Sequence, residues 1–188
     1  MSIPQLVTER LVLRGWRDAD EAAFGVINRD PRVMEYIGAP LDSAGNSAFL
    51  ARIRQHWQQH GFGLWALAAA GDDRLLGFVG LHIPRFDAPF MPCVEIGWRL
   101  AADVWGRGYA PEAARCVVDY ARDVLQLREI VSFTVAHNQR SQRVMQKLGM
   151  QHAAADDFLH PLLDPADRLA PHVLYRLTLN TKDASSCG

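Results

Sequence analysis

Residues 105–113 read Trp-Gly-Arg-Gly-Tyr-Ala-Pro-Glu-Ala, between a run of alternating apolar residues and a long amphipathic segment. A strand that turns through two glycines into a helix constrains the chain more than any other feature. It fixes a strand–turn–helix unit and leaves backbone amides free ahead of a helix N-terminus. Those N–H groups, at the positive end of the helix dipole, form a cradle for an anion such as a phosphate. Pro111 fits the turn, because its missing N–H would have found no intrahelical partner in the first helical turn. A P-loop is excluded, since no Lys followed by Ser or Thr comes after the second glycine. A dinucleotide fingerprint is a poor match: Pro111 stands where its third Gly or Ala should be, and no strand-end acid occurs near Val131, Ser132 and Phe133. Taken alone, the loop could equally be a plain strand-to-helix turn.

Its surroundings favour a ligand site. The preceding strand alternates, with Cys93, Glu95, Gly97 and Arg99 on one face and Val94, Ile96, Trp98 and Leu100 on the other. Glu95 can therefore face a groove while the apolar set packs inward. After the turn, a helix is expected over about 111–125, with Ala113, Ala114, Val117, Ala121 and Leu125 on one face. A strand over about 130–135 leads to a short helix over 141–148, and Asn138 and Ser141 can both face the N-terminal end of that helix. Upstream, the pattern predicts strands over 6–14, 63–69, 75–83 and 93–100. It predicts helices over 19–28, capped by Asp18, and over 47–60, with Asp30-Pro31 ending the first, Trp57 in the core and His56 and His60 on the exposed side. A last strand covers 172–179. Strands followed by β-α-β-α-β predict an α/β or α+β sheet with helices on its faces.

A length of 188 residues, 49% of them hydrophobic, supports one domain over 1–179, followed by a polar tail over 180–188 expected to be disordered. The net charge of -1 argues against a nucleic-acid binder working through bulk charge. With no apolar run near the roughly 18 residues of a membrane span and no signal-peptide pattern, a soluble cytoplasmic protein is expected. Cys93, Cys116 and Cys187 form no C-x-x-C pair and the histidines no metal-binding pair, so no metal is expected.

Together these segments resemble the GNAT superfamily of N-acetyltransferases, in the Rim-type branch similar to ribosomal-protein N-terminal acetyltransferases. The resemblance runs from Thr8-Glu9-Arg10-Leu11 to His172-Val173-Leu174-Tyr175-Arg176-Leu177. The superfamily loop Gln/Arg-x-x-Gly-x-Gly/Ala maps onto Trp105-x-x-Gly108-x-Ala110, and Trp105 follows the Rim-type form. Glu95-Ile96-Gly97-Trp98-Arg99-Leu100, Asn138-x-x-Ser141 and Lys147-Leu148-Gly149-Met150 match that branch as well. The resemblance implies a mixed, mostly antiparallel sheet of about six to seven strands, splayed between the fourth and fifth, with about four flanking helices. It implies acetyl-CoA in the gap, with its pyrophosphate on Trp105, Gly106, Arg107, Gly108, Tyr109 and Ala110. Asn138 would lie on the pantetheine side and Ser141 near the sulfur, with a backbone N–H near Trp98, Arg99 and Leu100 on the thioester carbonyl. Residues 99–147 carry eight Lys or Arg against five acids, so Arg107, Arg140, Arg143 and Lys147 are candidates to screen the phosphates.

Acetyl transfer to an amine needs a neutral nucleophile, an oxyanion donor and a proton for the thiolate. Glu95 is the candidate base, directly or through a water; its competing role is an ion pair with an Arg such as Arg99. Ser141 is the candidate proton donor and Tyr109 its rival. His137 is a further candidate, and Asp157, Phe158, His160 and His172 are a constellation that could border the acceptor. Deprotonating a Lys amine at neutral pH costs about 3 kcal/mol more than an α-amine, which suits a single modest acid to an N-terminal acceptor. The expected acceptor is therefore a protein or peptide N-terminus. A small amine (antibiotic, polyamine or amino-acid derivative) and a non-catalytic acyl-CoA-binding module are the alternatives. A homodimer is among the expected assemblies.

Overall fold

The computed structural model describes residues 3–180, so the predicted tail, Asn180 apart, and Cys187 lie outside the described residues. Nine strands, counting three two-residue ones, form one sheet in the order β1-β2-β3-β4-β5-β6-β9-β7, with β8 also paired to β9. Five helices flank it, one of them a single turn.

The expected strand over 6–14 is broken into β1 (Leu6–Val7) and β2 (Leu11–Arg14), an antiparallel pair. Thr8 causes the break: its hydroxyl accepts the Leu11 N–H at 3.1 Å, a local bond that competes with the ladder. Helix α1 (Asp20–Arg29) starts after Ala19 and is not capped by Asp18. Asp18 instead pairs with Arg54, while the buried Asp20 carboxylate accepts the Arg17 N–H at 2.8 Å and pairs with Arg14. Asp30-Pro31 ends α1 as expected, but the same dipeptide opens α2 (Pro31–Met34). Pro31 takes the first helical position there, and the Asp30 carboxylate accepts the Arg32 N–H at 2.9 Å. Helix α3 (Ser43–His60) runs four residues further back than the apolar spacing suggested, because Asp42 caps it through the Gly45 N–H.

Strands β3 (Leu64–Ala69), β4 (Leu75–His82) and β5 (Glu95–Leu100) form an antiparallel meander, with His82 opposite Glu95 and Phe78 opposite Arg99. Helix α4 (Tyr109–Asp123) then carries the chain to β6 (Glu129–Val135), parallel to β5. The anticipated apolar face of α4 is the one buried: Ala113, Ala114, Val117 and Ala121 have no exposed surface. Helix α5 (Gln139–Lys147) follows, then β7 (Gln151–His152), β8 (Phe158–Leu159) and β9 (Pro171–Thr178), which pairs with β6 along seven residues.

The placement of His56 on an exposed helix face is corrected. His56 is 8% exposed and extends the buried stripe of Leu50, Ile53 and Trp57, since i+3 and i+4 from Ile53 share one face. Its Nε2 accepts the Ile83 N–H at 3.1 Å, so Nδ1 must carry the proton that is donated to the Phe62 carbonyl at 2.9 Å. Burial pushes this imidazole down to about 4, and the Phe62 bond opposes that only in part. The unfolded chain takes up a proton near pH 6.5, before the folded one does. The contribution of His56 to stability is thus full above about pH 6.5 and falls by about 3 kcal/mol as the pH drops to about 4. Between pH 7.5 and 4.5 the urea-derived stability of the native chain should fall further than that of His56→Gln, the difference between the two falls reading the His56 contribution.

Candidate active site

Strands β5 and β6 are in register at a single point, Glu95 opposite Val131, beyond which they diverge. Val94 gives its carbonyl to the Val131 N–H at 2.9 Å, so β alternation turns the peptide groups of Ile96, Trp98 and Leu100 toward β6. The Leu100 carbonyl obeys this rule, accepting the Trp105 indole N–H at 2.9 Å. Past the Val131 contact no described strand faces Trp98, and its N–H is directed into the gap. A cleft of about 790 Å³ opens there.

At one end the cleft meets the glycine turn. Gly106 and Gly108 have φ of 75° and 81°, a left-handed backbone that glycine adopts without strain, and Gly108 is the N-cap of α4. No side chain caps that helix, Pro111 removes one amide, and the Tyr109 and Ala110 amides open the first turn. These are groups an anion can satisfy, so the residues fit a phosphate-bearing substrate. The turn is braced from the N-terminal hairpin, which sequence reading missed. Glu112 accepts from Thr8 Oγ1 at 2.6 Å and from Arg10 Nε at 2.8 Å. Arg10 also donates to the Arg107 carbonyl at 3.1 Å and lies 4.7 Å from the Tyr109 ring centroid. Replacing Arg10 by Met should raise KM for acetyl-CoA about five- to tenfold with kcat little changed, as expected when an interaction equal in ground and transition states is lost. Steady-state kinetics in acetyl-CoA check this.

Midway along the cleft, buried Glu95 meets His82 of β4, with Nε2 and Oε2 3.1 Å apart. Burial lowers the His82 pKa, but the Glu95 charge and hydrogen bond more than offset it, and the net shift is upward. The expected rival pairing with Arg99 does not occur. Arg99 Nη1 donates to Asn28 Oδ1 at 2.6 Å, and its guanidinium carbon lies 5.1 Å from the Phe49 centroid. His82 escaped the sequence reading because its proximity to Glu95 depends on hairpin register, and the loop over 83–94 hides that register.

On the far wall Asn138 caps α5, as its spacing to Ser141 suggested. Its Oδ1 accepts the Ser141 N–H at 3.2 Å, and its Nδ2 donates to Thr134 Oγ1 at 3.0 Å. Ser141 lines the cleft, and no described residue hydrogen-bonds its Oγ. Of the residues assigned to acetyl-CoA from sequence, only Arg107 stays off the cleft wall: its side chain is exposed, and only its carbonyl is used, by Arg10. His137 is likewise exposed and off the wall. Tyr109 lines the cleft beneath Arg10, a packed position. Arg140 stacks 4.8 Å over the Trp105 ring and reaches Glu35 at 3.7 Å, bridging α5 to the α2 end.

Asp157 pairs with His152 away from the cleft. His160 and His172 do border it, beside Phe86 and Phe133, and Phe158 and Phe90 complete the ring cluster behind them. His172 donates Nδ1–H to the Ala170 carbonyl at 3.0 Å, and His160 Nδ1 accepts the Leu162 N–H at 3.3 Å. Burial lowers both pKa values, and these neutral rings serve as wall.

A family model described as the acetyltransferase (GNAT) domain matches residues 10–151. The uncharacterized protein YkkB of Bacillus subtilis is 31% identical over 150 residues, 79% of this chain and 86% of the relative. The FsC-acetyl coenzyme A-N(2)-transacetylase of Aspergillus fumigatus is 35% identical over 163 residues, 79% of this chain and 66% of the relative. An acetyltransferase from Agrobacterium tumefaciens superposes with a TM-score of 0.74 at 30% identity, covering 94% of this chain and 95% of that one.

Proposed function

The chain belongs to the GNAT acetyltransferase family, and on that premise we propose that it transfers acetyl from acetyl-CoA to the α-amino group of a protein or peptide N-terminus, in the manner of the Rim-type branch. The observation that carries this reading is the meeting, at the β5–β6 divergence, of a Trp98 N–H that strand alternation turns into the gap with the Glu95–His82 pair.

The chemistry follows from those groups. Glu95 takes a proton from the incoming ammonium, directly or through a water, and His82 keeps its carboxylate oriented. The amine nitrogen attacks the thioester carbon, and the carbonyl oxygen gathers charge against the Trp98 N–H, a donor fixed by the sheet before the reaction starts. As the tetrahedral intermediate collapses, the C–S bond breaks, the attacking nitrogen gives up its second proton to solvent in the cleft, and Ser141 Oγ supplies the departing thiolate with a proton that the hydroxyl recovers from solvent. The glycine turn and the Arg143 and Lys147 side chains hold the phosphates, so binding energy far from the thioester positions it for attack. The likeness to a relative named FsC-acetyl coenzyme A-N(2)-transacetylase, a name that mentions no protein or peptide acceptor, favours a second reading, a small-molecule amine as acceptor.

Release of CoA thiol separates these readings. Peptides with free N-termini, the same peptides N-terminally blocked but carrying a Lys, and a set of small amines are compared at equal concentration. Turnover confined to free N-termini supports the first reading. Turnover confined to small amines supports the second. Tight acetyl-CoA binding with no thiol release from any amine would leave a binding module.

A further inference from the structure

The cleft is lined by seven Lys or Arg residues and, among the described residues, by one acid, Glu95, already engaged by His82. Arg143 and Lys147 sit on α5 beside the phosphate cradle, where anionic substrate accounts for them, and Arg140 is held by Trp105 and Glu35. Arg32 is bound to Asp30. Arg99 has no such explanation. Its one side-chain hydrogen bond among the described residues goes to the uncharged Asn28, it is bracketed by the Phe49 and Phe78 rings, and its Nε is buried with no partner among those residues. Burial pushes the guanidinium down to about 10, as expected of a cation whose lost hydration is poorly replaced. A half-buried cation without a counter-ion is costly to a fold, and one that lines a cleft is a candidate to receive an anionic ligand group.

The second buried orphan among the described side chains is His82 Nδ1, in the same cleft. Between Glu95 and Arg99, on the same strand face, stands Gly97. A Cβ there would come within 4.0 Å of Glu95 Oε1 and 3.9 Å of His82 Cε1. The missing side chain leaves open the floor that joins the acid to the guanidinium.

We propose that Arg99 receives a carboxylate of the acceptor, so that the amine acetylated is an amino acid or short peptide lying along β5, its nitrogen at Glu95 and its carboxylate at Arg99. This rests on the acetyltransferase reading of the cleft and narrows its acceptor. The two Cα atoms are about 13 Å apart along a strand, and a two- or three-residue peptide spans about 7–10 Å, which leaves about 3–6 Å to be made up by the reach of the two side chains. Phe86 and Phe133, on the wall beyond, suit an apolar first residue. A polyamine fits poorly, since its second ammonium would meet Arg99 and Arg52 with no acid to receive it.

The probes are the dipeptide Phe-Gly, its C-terminal amide and spermidine, assayed for acetylation by the native chain, Arg99→Met and Arg99→Lys. Calorimetry of N-acetyl-Phe-Gly against its amide reads the same preference without turnover. The expected result is at least a tenfold preference for the free carboxylate in kcat/KM and in product affinity. Arg99→Met should bring it close to one through KM for Phe-Gly, and Arg99→Lys should restore part of it. Equal use of acid and amide, a preference for spermidine, or an undiminished carboxylate preference in Arg99→Met would overturn the assignment. Acetylation without carboxylate preference refutes this inference but leaves the enzyme reading intact. Carboxylate-selective product binding without acetylation of any amine supports the Arg99 site and refutes the enzyme reading. Should Arg99→Met fail to fold, the native acid-to-amide ratio and Arg99→Lys decide the question.

Discussion

Glu95→Gln lowers kcat about 10²- to 10³-fold, the range of a positioned general base, while acetyl-CoA binds with its native affinity. The substitution keeps the size of the side chain and an oxygen that can accept from His82 Nε2, so β4 and β5 need not move. What disappears is the negative charge that takes the proton and keeps the His82 pKa high. With that charge gone, burial dominates and His82 becomes neutral. The variant therefore loses the base and alters its only described partner in one step. The site of the substitution is far from the phosphate cradle, so calorimetric affinity for acetyl-CoA and the thermal midpoint act as controls for folding. Stopped-flow or thiol-release kinetics with an α-amine read the loss. Undiminished turnover would remove Glu95 as the base. A loss shared equally with acetyl-CoA affinity would show that the acid supports the cleft rather than the chemistry.

Much of the site could be read from sequence because its parts are local. The strand, glycine turn and helix over 93–125 adjoin in the chain, and the Asn138 cap needs only a spacing of three. Alternation alone put Glu95 and Arg99 on one face. The missing parts depend on register and packing. His82 lies 13 residues before Glu95, and nothing between them fixes the hairpin. Arg10 and Thr8 reach Glu112 only because β2 folds against β3 and brings its turn beside α4. His56 was misread because a polar residue one place before Trp57 looks solvent-facing until both of its ring nitrogens are seen to be engaged. An ion pair with Arg99 was the competing role for Glu95, since opposite charges on one strand face can pair. The sheet sends its guanidinium to Asn28 and Phe49 instead, which leaves the charge that the acceptor assignment explains.

Gly108→Asp weakens acetyl-CoA binding by about 10²-fold or more. Steric exclusion by neighbours is not the reason: a Cβ at this position would meet only Arg10 Nη2, at 3.5 Å, an ordinary contact. The effect has two other sources. The backbone at φ 81° strains a residue with a side chain by about 1–2 kcal/mol, though Asp and Asn tolerate it better than most. More important, a carboxylate at the N-cap of α4 occupies the amides meant for phosphate and repels it; at an effective dielectric near 20, two unit charges about 4 Å apart interact by about 4 kcal/mol. The new acid can also draw Arg10 from Glu112 and the Arg107 carbonyl, loosening the brace while keeping the chain folded. Gly108→Asn separates the terms, having the same shape and left-handed tolerance without the charge. Its affinity loss should stay within about tenfold, the share due to strain. If calorimetry found acetyl-CoA bound equally well by Asp and native forms, the turn would be no more than a strand-to-helix connection, and the phosphates would have to be held elsewhere in the cleft. If Asp and Asn failed equally, backbone conformation rather than charge would govern the cradle. A loss confined to Asp ties the anion site to the amides of residues 106–110, the feature that set the fold of this chain from its sequence.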